Sequence, residues 1–261
     1  MLDGLHNGKS ISLHRISKEV GRSYTAIWGL CRALEIHTRT VAEADTLSAE
    51  SRSKHKRTPF DGTEEDRAYM LGFKNGDITA LQVSGTAVMV SSTTTHPAFA
   101  ELFNQLFQKY SHVYQYPMFE EGKGYKWKLA ARLENSFRFI LTSAENASQQ
   151  FTSSRSLFMS WLAGLIDSDG NFHVFQDHGD ARVSLVVYSS NFKLLENIIE
   201  ESLSIGYEFG GPYRTHQAGY ITPYGIRYAK DHGQIDLQQT ESAQRLLMEL
   251  PIRHREKQQL K

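Results

Sequence analysis

Apolar positions occur in short blocks whose spacing changes along the chain, and these changes predict the elements. Thr63 and Asp66 have capping-box spacing, and a helix is expected from there through RAYMLGFKNGD to Asp77. ITALQV and TAVMVSS read as strands, AFAELFNQLFQKY as a helix, HVYQYPM and GYKWKLAA as strands, and ENSFRFIL as a short helix. The same order begins again at Ser154. SLFMSWLAGLIDSDG is helical, NFHVF and ARVSLVVY are strands, and NFKLLENIIEESL is a helix. Strands around YEFGGPYR and GIRYAK follow, and ESAQRLLMEL closes the series. The order is helix, two strands, helix, two strands, helix, used twice, with Asp77 and Asp169 92 positions apart. It predicts a pseudo-twofold α+β domain made of repeats 63–150 and 151–261.

The first 45 residues have a different pattern. In ISLHRISKEVGRSYTAIWGLCR, Ile16 and Val20 fall on one helix, Gly21 on a turn, and Ile27 and Leu30 on a second helix, as in a helix-turn-helix. Tyr24, Thr25, Trp28 and Arg32 would be its exposed readers of DNA. Between the two parts, Thr46 to Gly62 is rich in Ser and Lys/Arg, contains Pro59 and has no apolar period, so residues 46–62 read as a linker. A length of 261 residues is enough for two packed units. Lys and Arg total 29, as do Asp and Glu, a balance that taken alone disfavours a nucleic-acid partner. By region the balance breaks: 10 basic to 6 acidic residues in 1–60, 8 to 10 in 61–150, and 11 to 13 in 151–261. The single cysteine, Cys31, excludes an intramolecular disulfide framework and a cysteine-cluster zinc site. The opening MLDGLHNGKS has no signal-peptide core, and no apolar run approaches the roughly 18 residues of a membrane span. A cytoplasmic protein with no membrane partner is expected.

The chemistry concentrates in Leu162–Gly170, LAGLIDSDG, and in its counterpart MLGFKNGDI. Aligning Gly72 with Gly164 sets Asp77 opposite Asp169, Gly76 opposite Ser168 and Asn75 opposite Asp167. Small residues (Gly72 on one helix, Ala163 and Gly164 on the other) permit close backbone approach, which would bring the two aspartates together. Two adjacent carboxylates repel, and a divalent cation relieves the repulsion. Magnesium stabilises phosphate charge and activates water, as phosphodiester hydrolysis requires. A polar turn ending a buried helix is the plainer reading of DSDG. A calcium loop fails, because its sixth position would be Phe172 and its twelfth His178.

LAGLIDSDG differs only at Ser168 from the name sequence of the LAGLIDADG homing endonucleases, and residues 63–257 resemble that family. The resemblance implies a monomeric, Mg2+- or Mn2+-dependent endonuclease of double-stranded DNA, encoded in the manner of intron homing. In it each aspartate, Asp77 and Asp169, and the neighbouring carbonyls of Gly76 and Ser168 would serve the metals. It also implies a basic residue near the end of a repeat that polarises the attacking water. In PIRHREKQQ the candidates are Lys257 and, in another register, Arg255. The matching TSAENASQQ has none, which makes nicking of one strand an expected departure. Finally, the resemblance implies that four strands per repeat form a saddle on the major groove. Alternation places Lys126 and Lys128 on one face and Trp127 on the other. In the second repeat it sets His173, Phe175, Arg182 and Ser184 opposite Phe172, Val174, Val183 and Leu185. No Lys or Arg lies between Lys74 and Lys109, so the first strands add little phosphate neutralisation. Two other readings use the same fold: a non-cleaving DNA-binding regulator, and a maturase whose partner is intron RNA.

Overall fold

A computed structural model describes residues 2–8, 11–51, 54–121, 124–144, 146, 150–151, 154–222, 225 and 227–261. The chain divides into two compact units, Met1–Lys56 and Arg57–Lys261.

In the first unit, α1 (Leu13–Val20) and α2 (Tyr24–Ala33) are each capped by a serine. Ser12 accepts from Arg15 N and Ser23 from Ala26 N, both at 3.2 Å, and Gly21, at φ 67°, ends α1 in the left-handed conformation. The small core is Leu13, Ile16, Ile27 and Cys31, with Leu2, Leu5, Ile11 and Ile36 packed against it. Val20 and Leu30, expected to join the helices, are 48% and 46% exposed. The apolar stripe runs from Ile27 to Cys31, four residues on, and Val20 lies in the last turn of α1, so both miss the contact. A further helix, α3 (Val41–Ser51), covers the start of the segment expected to be a linker. Thr40 and Glu43 cap each other, with Thr40 N donating to Glu43 Oε2 at 2.7 Å and Glu43 N to Thr40 Oγ1 at 3.3 Å. Arg52 and Ser53 of that segment lie outside the described residues.

From Arg57 onward the chain is packed into the second unit. Thr58 N donates to Tyr110 O at 2.9 Å, and the Phe60 ring lies against Tyr110, Phe137 and Phe139. The first repeat comprises α4 (Glu64–Asn75), β1 (Thr79–Ser84), β2 (Ala87–Thr94), α5 (Pro97–Phe107), β3 (Val113–Glu120) and β4 (Gly124–Glu134), then a 3-10 turn at Asn135–Leu141. The second comprises α6 (Arg155–Asp169), β5 (Gly170–Asp177), β6 (Asp180–Ser189), α7 (Phe192–Ser204), β7 (Gly210–His216), β8 (His232–Leu237), α8 (Thr240–Glu249) and α9 (Arg255–Gln258). The Thr63–Asp66 capping box forms as the spacing predicts.

Each repeat builds a four-stranded antiparallel sheet, in the orders β1-β2-β4-β3 and β5-β6-β8-β7. The same permutation of strands occurs twice, so the fold is the doubled α+β arrangement that the pattern predicts. One hydrophobic core runs through both repeats. The last strand differs from expectation. Among the described residues of that segment Arg227 makes an isolated bridge to Ile221 and Tyr228 bonds to Gly219 and Tyr220, and β8 begins at His232, where Ile235 and Leu237 supply the alternating core face. Ile226 lies outside the described residues. Among the described residues no helix is long and apolar enough to cross a membrane.

Candidate active site

The site is positioned by α4 and α6, which are buried on nearly all sides. Ala68–Phe73 of α4 and Phe158–Asp167 of α6 are buried without interruption. Their backbones touch because both carry glycine at the crossing. A Cβ on Gly72 would overlap the carbonyl oxygen of Trp161, and one on Gly164 would overlap that of Tyr69. The contact is reciprocal, as the repeat symmetry requires. At the carboxyl ends Gly76 abuts Ser168; a Cβ there would overlap the serine side chain and come within 3.2 Å of Asp169 Cγ. The residues following Asn75 and Ser168 therefore meet.

Asp77 is exposed at the rim and Asp169 is half-buried beside it. Neither carboxylate accepts a hydrogen bond from a described residue. Burial, then the charge of Asp77, pushes the Asp169 carboxyl up to about 7, against the pull of Lys257. Asp77, though exposed as a residue, has its carboxyl turned far enough from solvent that burial raises its pKa, opposed by Lys257. Lys257 is held down at about 8 by burial, while Asp167, Asp169 and Asp77 oppose the fall. Its ammonium donates to the carbonyl of Gly170 at 2.7 Å and to that of Ile166. An ammonium has three N–H donors, so one remains for the cavity. Arg255, the other candidate, instead pairs with Glu101 at 3.0 Å.

Asp77, Ser168 and Lys257 open on a cavity of about 300 Å³ lined also by Thr94, His96, Asn171, His254 and Glu256. His254 is 6% exposed, and its Nδ1 has no hydrogen-bond partner among the described residues. Burial and the Lys257 charge push its pKa down, so at neutral pH it is an uncharged imidazole. Among the described residues no group of three or more His, Cys, Asp or Glu side chains is placed to hold a metal ion. The available donor set is two carboxylates with the carbonyls of Gly76 and Ser168. All are hard oxygen donors, and no described residue donates a competing hydrogen bond to the carboxylates, which suits a cation that keeps part of its water shell.

The site residues read from sequence are distributed as follows. The helix ends bring Asp77, Gly76, Ser168 and Asp169 together, and Lys257 joins them from the chain's last turn. Sequence reasoning missed Asp167, Tyr69, Arg253, His254 and His96. Asp167 lay within the nonapeptide, and Arg253 and His254 beside the lysine, but only their contacts mark them out. Lys74 was missed as well; half-buried, with its pKa lowered by burial, it donates to Thr142 O at 3.0 Å. Residues 145 and 147–149 of TSAENASQQ lie outside the described residues.

The proposed strand faces follow the register. Lys126, Lys128 and Arg132 share the face away from the core with Tyr114 and Tyr116, because Tyr116 pairs with Lys128, Tyr114 with Ala130 and Met89 with Arg132. Lys126 is ion-paired to Glu120, and Lys128 Nζ lies 6.0 Å from the Tyr116 ring centre. In the second sheet His173 pairs with Ser184 and Phe175 with Arg182, opposite buried Phe172, Val183 and Leu185. His173 Nε2 is 3.3 Å from Asn171 Nδ2. Val174, expected with the apolar set, is 59% exposed, because it lies beyond the edge of the core. In the first unit Tyr24, Thr25, Trp28 and Arg32 are exposed, with the Arg32 guanidinium 5.0 Å over the Trp28 ring.

No family model matches the chain, and no match is found among curated proteins. Solved structures to which it is similar include I-DmoI in complex with DNA and Mn, at 14% identity and TM-score 0.43, covering 73% of this chain and 98% of that one. Full-length DUF199/WhiA from Thermatoga maritima is 14% identical with TM-score 0.49, covering 78% of this chain and 60% of that one. The homing endonuclease I-WcaI bound to its DNA recognition sequence is 12% identical with TM-score 0.47, covering 81% and 90%.

Proposed function

We propose that this protein is a divalent-metal-dependent endonuclease of double-stranded DNA. The observation that carries the reading is the meeting of Asp77 and Asp169, two carboxylates that accept no hydrogen bond from a described residue, beside the half-buried Lys257 ammonium. Asp77 and Asp169, with the carbonyls of Gly76 and Ser168, would hold Mg2+ or Mn2+. Such an ion stabilises charge on a scissile phosphate and makes water more acidic. Lys257 turns its remaining N–H toward the cavity, where it orients water or a phosphate oxygen, and the two carbonyls it binds keep it from closing onto the carboxylates. Both aspartates come from one chain, so the protein acts as a monomer.

The open sheet faces would contact duplex DNA through Lys126, Lys128, His173, Arg182 and Ser184, and the first unit through Tyr24, Thr25, Trp28 and Arg32 in the manner of a helix-turn-helix. The test is a randomised duplex library incubated with protein and Mg2+ or Mn2+, the new ends being sequenced. Wild-type protein is expected to enrich ends at one extended site, and the double variant Asp77→Asn, Asp169→Asn to bind the same DNA without cutting it. Binding without enriched ends from the wild type refutes cleavage.

A further inference from the structure

Lys257 sits on α9, a helix of only four residues that follows an extended stretch after α8. So short a helix does not place a side chain by itself. Leu250 and Ile252 seat the start of that stretch in the core, and its end, at Arg253 and His254, is held by Asp167, which is 1% exposed. Its Oδ2 collects three donors: the Tyr69 hydroxyl at 2.5 Å, Arg253 N–H at 2.6 Å and His254 N–H at 3.1 Å. The Arg253 guanidinium is anchored in turn, at 2.7 Å from Asp66 Oδ1 and 4.2 Å over the Tyr69 ring. One network therefore joins the first turns of α4, the end of α6 and the main chain just before α9. Three residues beyond His254, Lys257 donates to Ile166 and Gly170, which bracket Asp167 in sequence. Burying a carboxylate is costly unless it is well hydrogen-bonded, and here two of the three bonds hold the main chain that leads into α9.

We propose that Asp167 is a positioning residue: by gripping the main chain at Arg253 and His254 it sets the Lys257 ammonium beside Asp77 and Asp169. This rests on the nuclease reading only for the consequence to catalysis. The electrostatics agree, since among the acidic groups around Lys257, Asp167 does most to sustain its charge.

The test uses the full chain labelled with 13C at lysine Cε, the Lys257 signal being assigned by Lys257→Arg. In wild type this signal stands apart from those of exposed lysines. Asp167→Ala is expected to move it onto the exposed-lysine position. Asp167→Asn, which keeps an oxygen for the two main-chain donors, is expected to restore most of the separation. With a DNA site in hand, Asp167→Ala slows single-turnover cleavage about tenfold or more at unchanged DNA affinity, and adds nothing in a Lys257→Ala background. A Lys257 signal unmoved by Asp167→Ala overturns the proposal, as does an equal slowing with and without Lys257. Should Asp167→Ala not fold, Tyr69→Phe, which removes one donor, is read in the same way: a smaller shift in the same direction supports the proposal and no shift overturns it. If no DNA is cut while the signal still moves with Asp167, the nuclease reading falls and the positioning stands.

Discussion

Asp169 and Lys257 are each held away from their ordinary protonation, in directions that fix how the protein responds to pH. An unfolded aspartate gives up its proton near 3.9, whereas Asp169 holds it to about 7. Its contribution to stability is therefore full below about 4 and lost as the pH rises through 7. Lys257 runs the other way: its contribution is present above about 10.4, the unfolded value, and lost as the pH falls through 8. Metal-free protein is thus expected to melt at a lower temperature at pH 7–8 than at pH 5, with a smaller difference in Asp169→Asn. Equal differences in the two proteins would contradict this environment for Asp169. On the proposed metal-dependent reading a cation would have to displace the same proton, so Mn2+ affinity by calorimetry should rise about tenfold from pH 6 to pH 8, and less in Asp77→Asn, which removes the repulsion. Both aspartates were legible in the sequence because a motif repeats around them. Asp167 was not, since its partners Tyr69, Arg253 and His254 lie 86–98 positions away and only folding brings them together.

At the scale of elements, the crossing of α4 and α6 sets the site. Gly72→Ala and Gly164→Ala each push a methyl group into main chain that cannot turn aside, and are expected to cost at least 1–3 kcal/mol in denaturant melts. Gly76→Ala meets side-chain atoms of Ser168 and, at 3.2 Å, Asp169 Cγ rather than main chain, so it should cost less. If all three cost the same, the backbone contact is not what fixes the crossing. Strand faces were legible because alternation has a period of two, and the registers of β3–β4 and β5–β6 bear out that alternation. Elements without such a signal were misread. The helix at Val41–Ser51 starts from a cap at Thr40 rather than from an apolar stripe, and β8 lies beyond the expected GIRYAK because pairing with β6, not local composition, selects His232–Leu237.

At the scale of the molecule, the cancelling charges hide a basic first unit and a slightly acidic second one, on whose first sheet Lys126 is bound to Glu120. If both units bind DNA, a chain beginning at Arg57 should keep a cooperative melt, as its core is complete. It should lose DNA affinity steeply and show a shallower salt dependence than the full chain, measured by titration at several salt concentrations. A truncated chain with the same affinity and slope would remove the first unit from DNA recognition.

The repeat, the elements with a clear period and the pair of aspartates were determined by the sequence alone, because they rest on periodicity and spacing, which are local. The tertiary structure decided the rest. It brought the helix ends into contact through glycines on different repeats, put Lys257 beside the aspartates while Arg255 pairs with Glu101, and gave Asp167 three hydrogen bonds where Asp77 and Asp169 have none from a described residue. Those outcomes depend on burial and on neighbours distant in the chain, which no local pattern records.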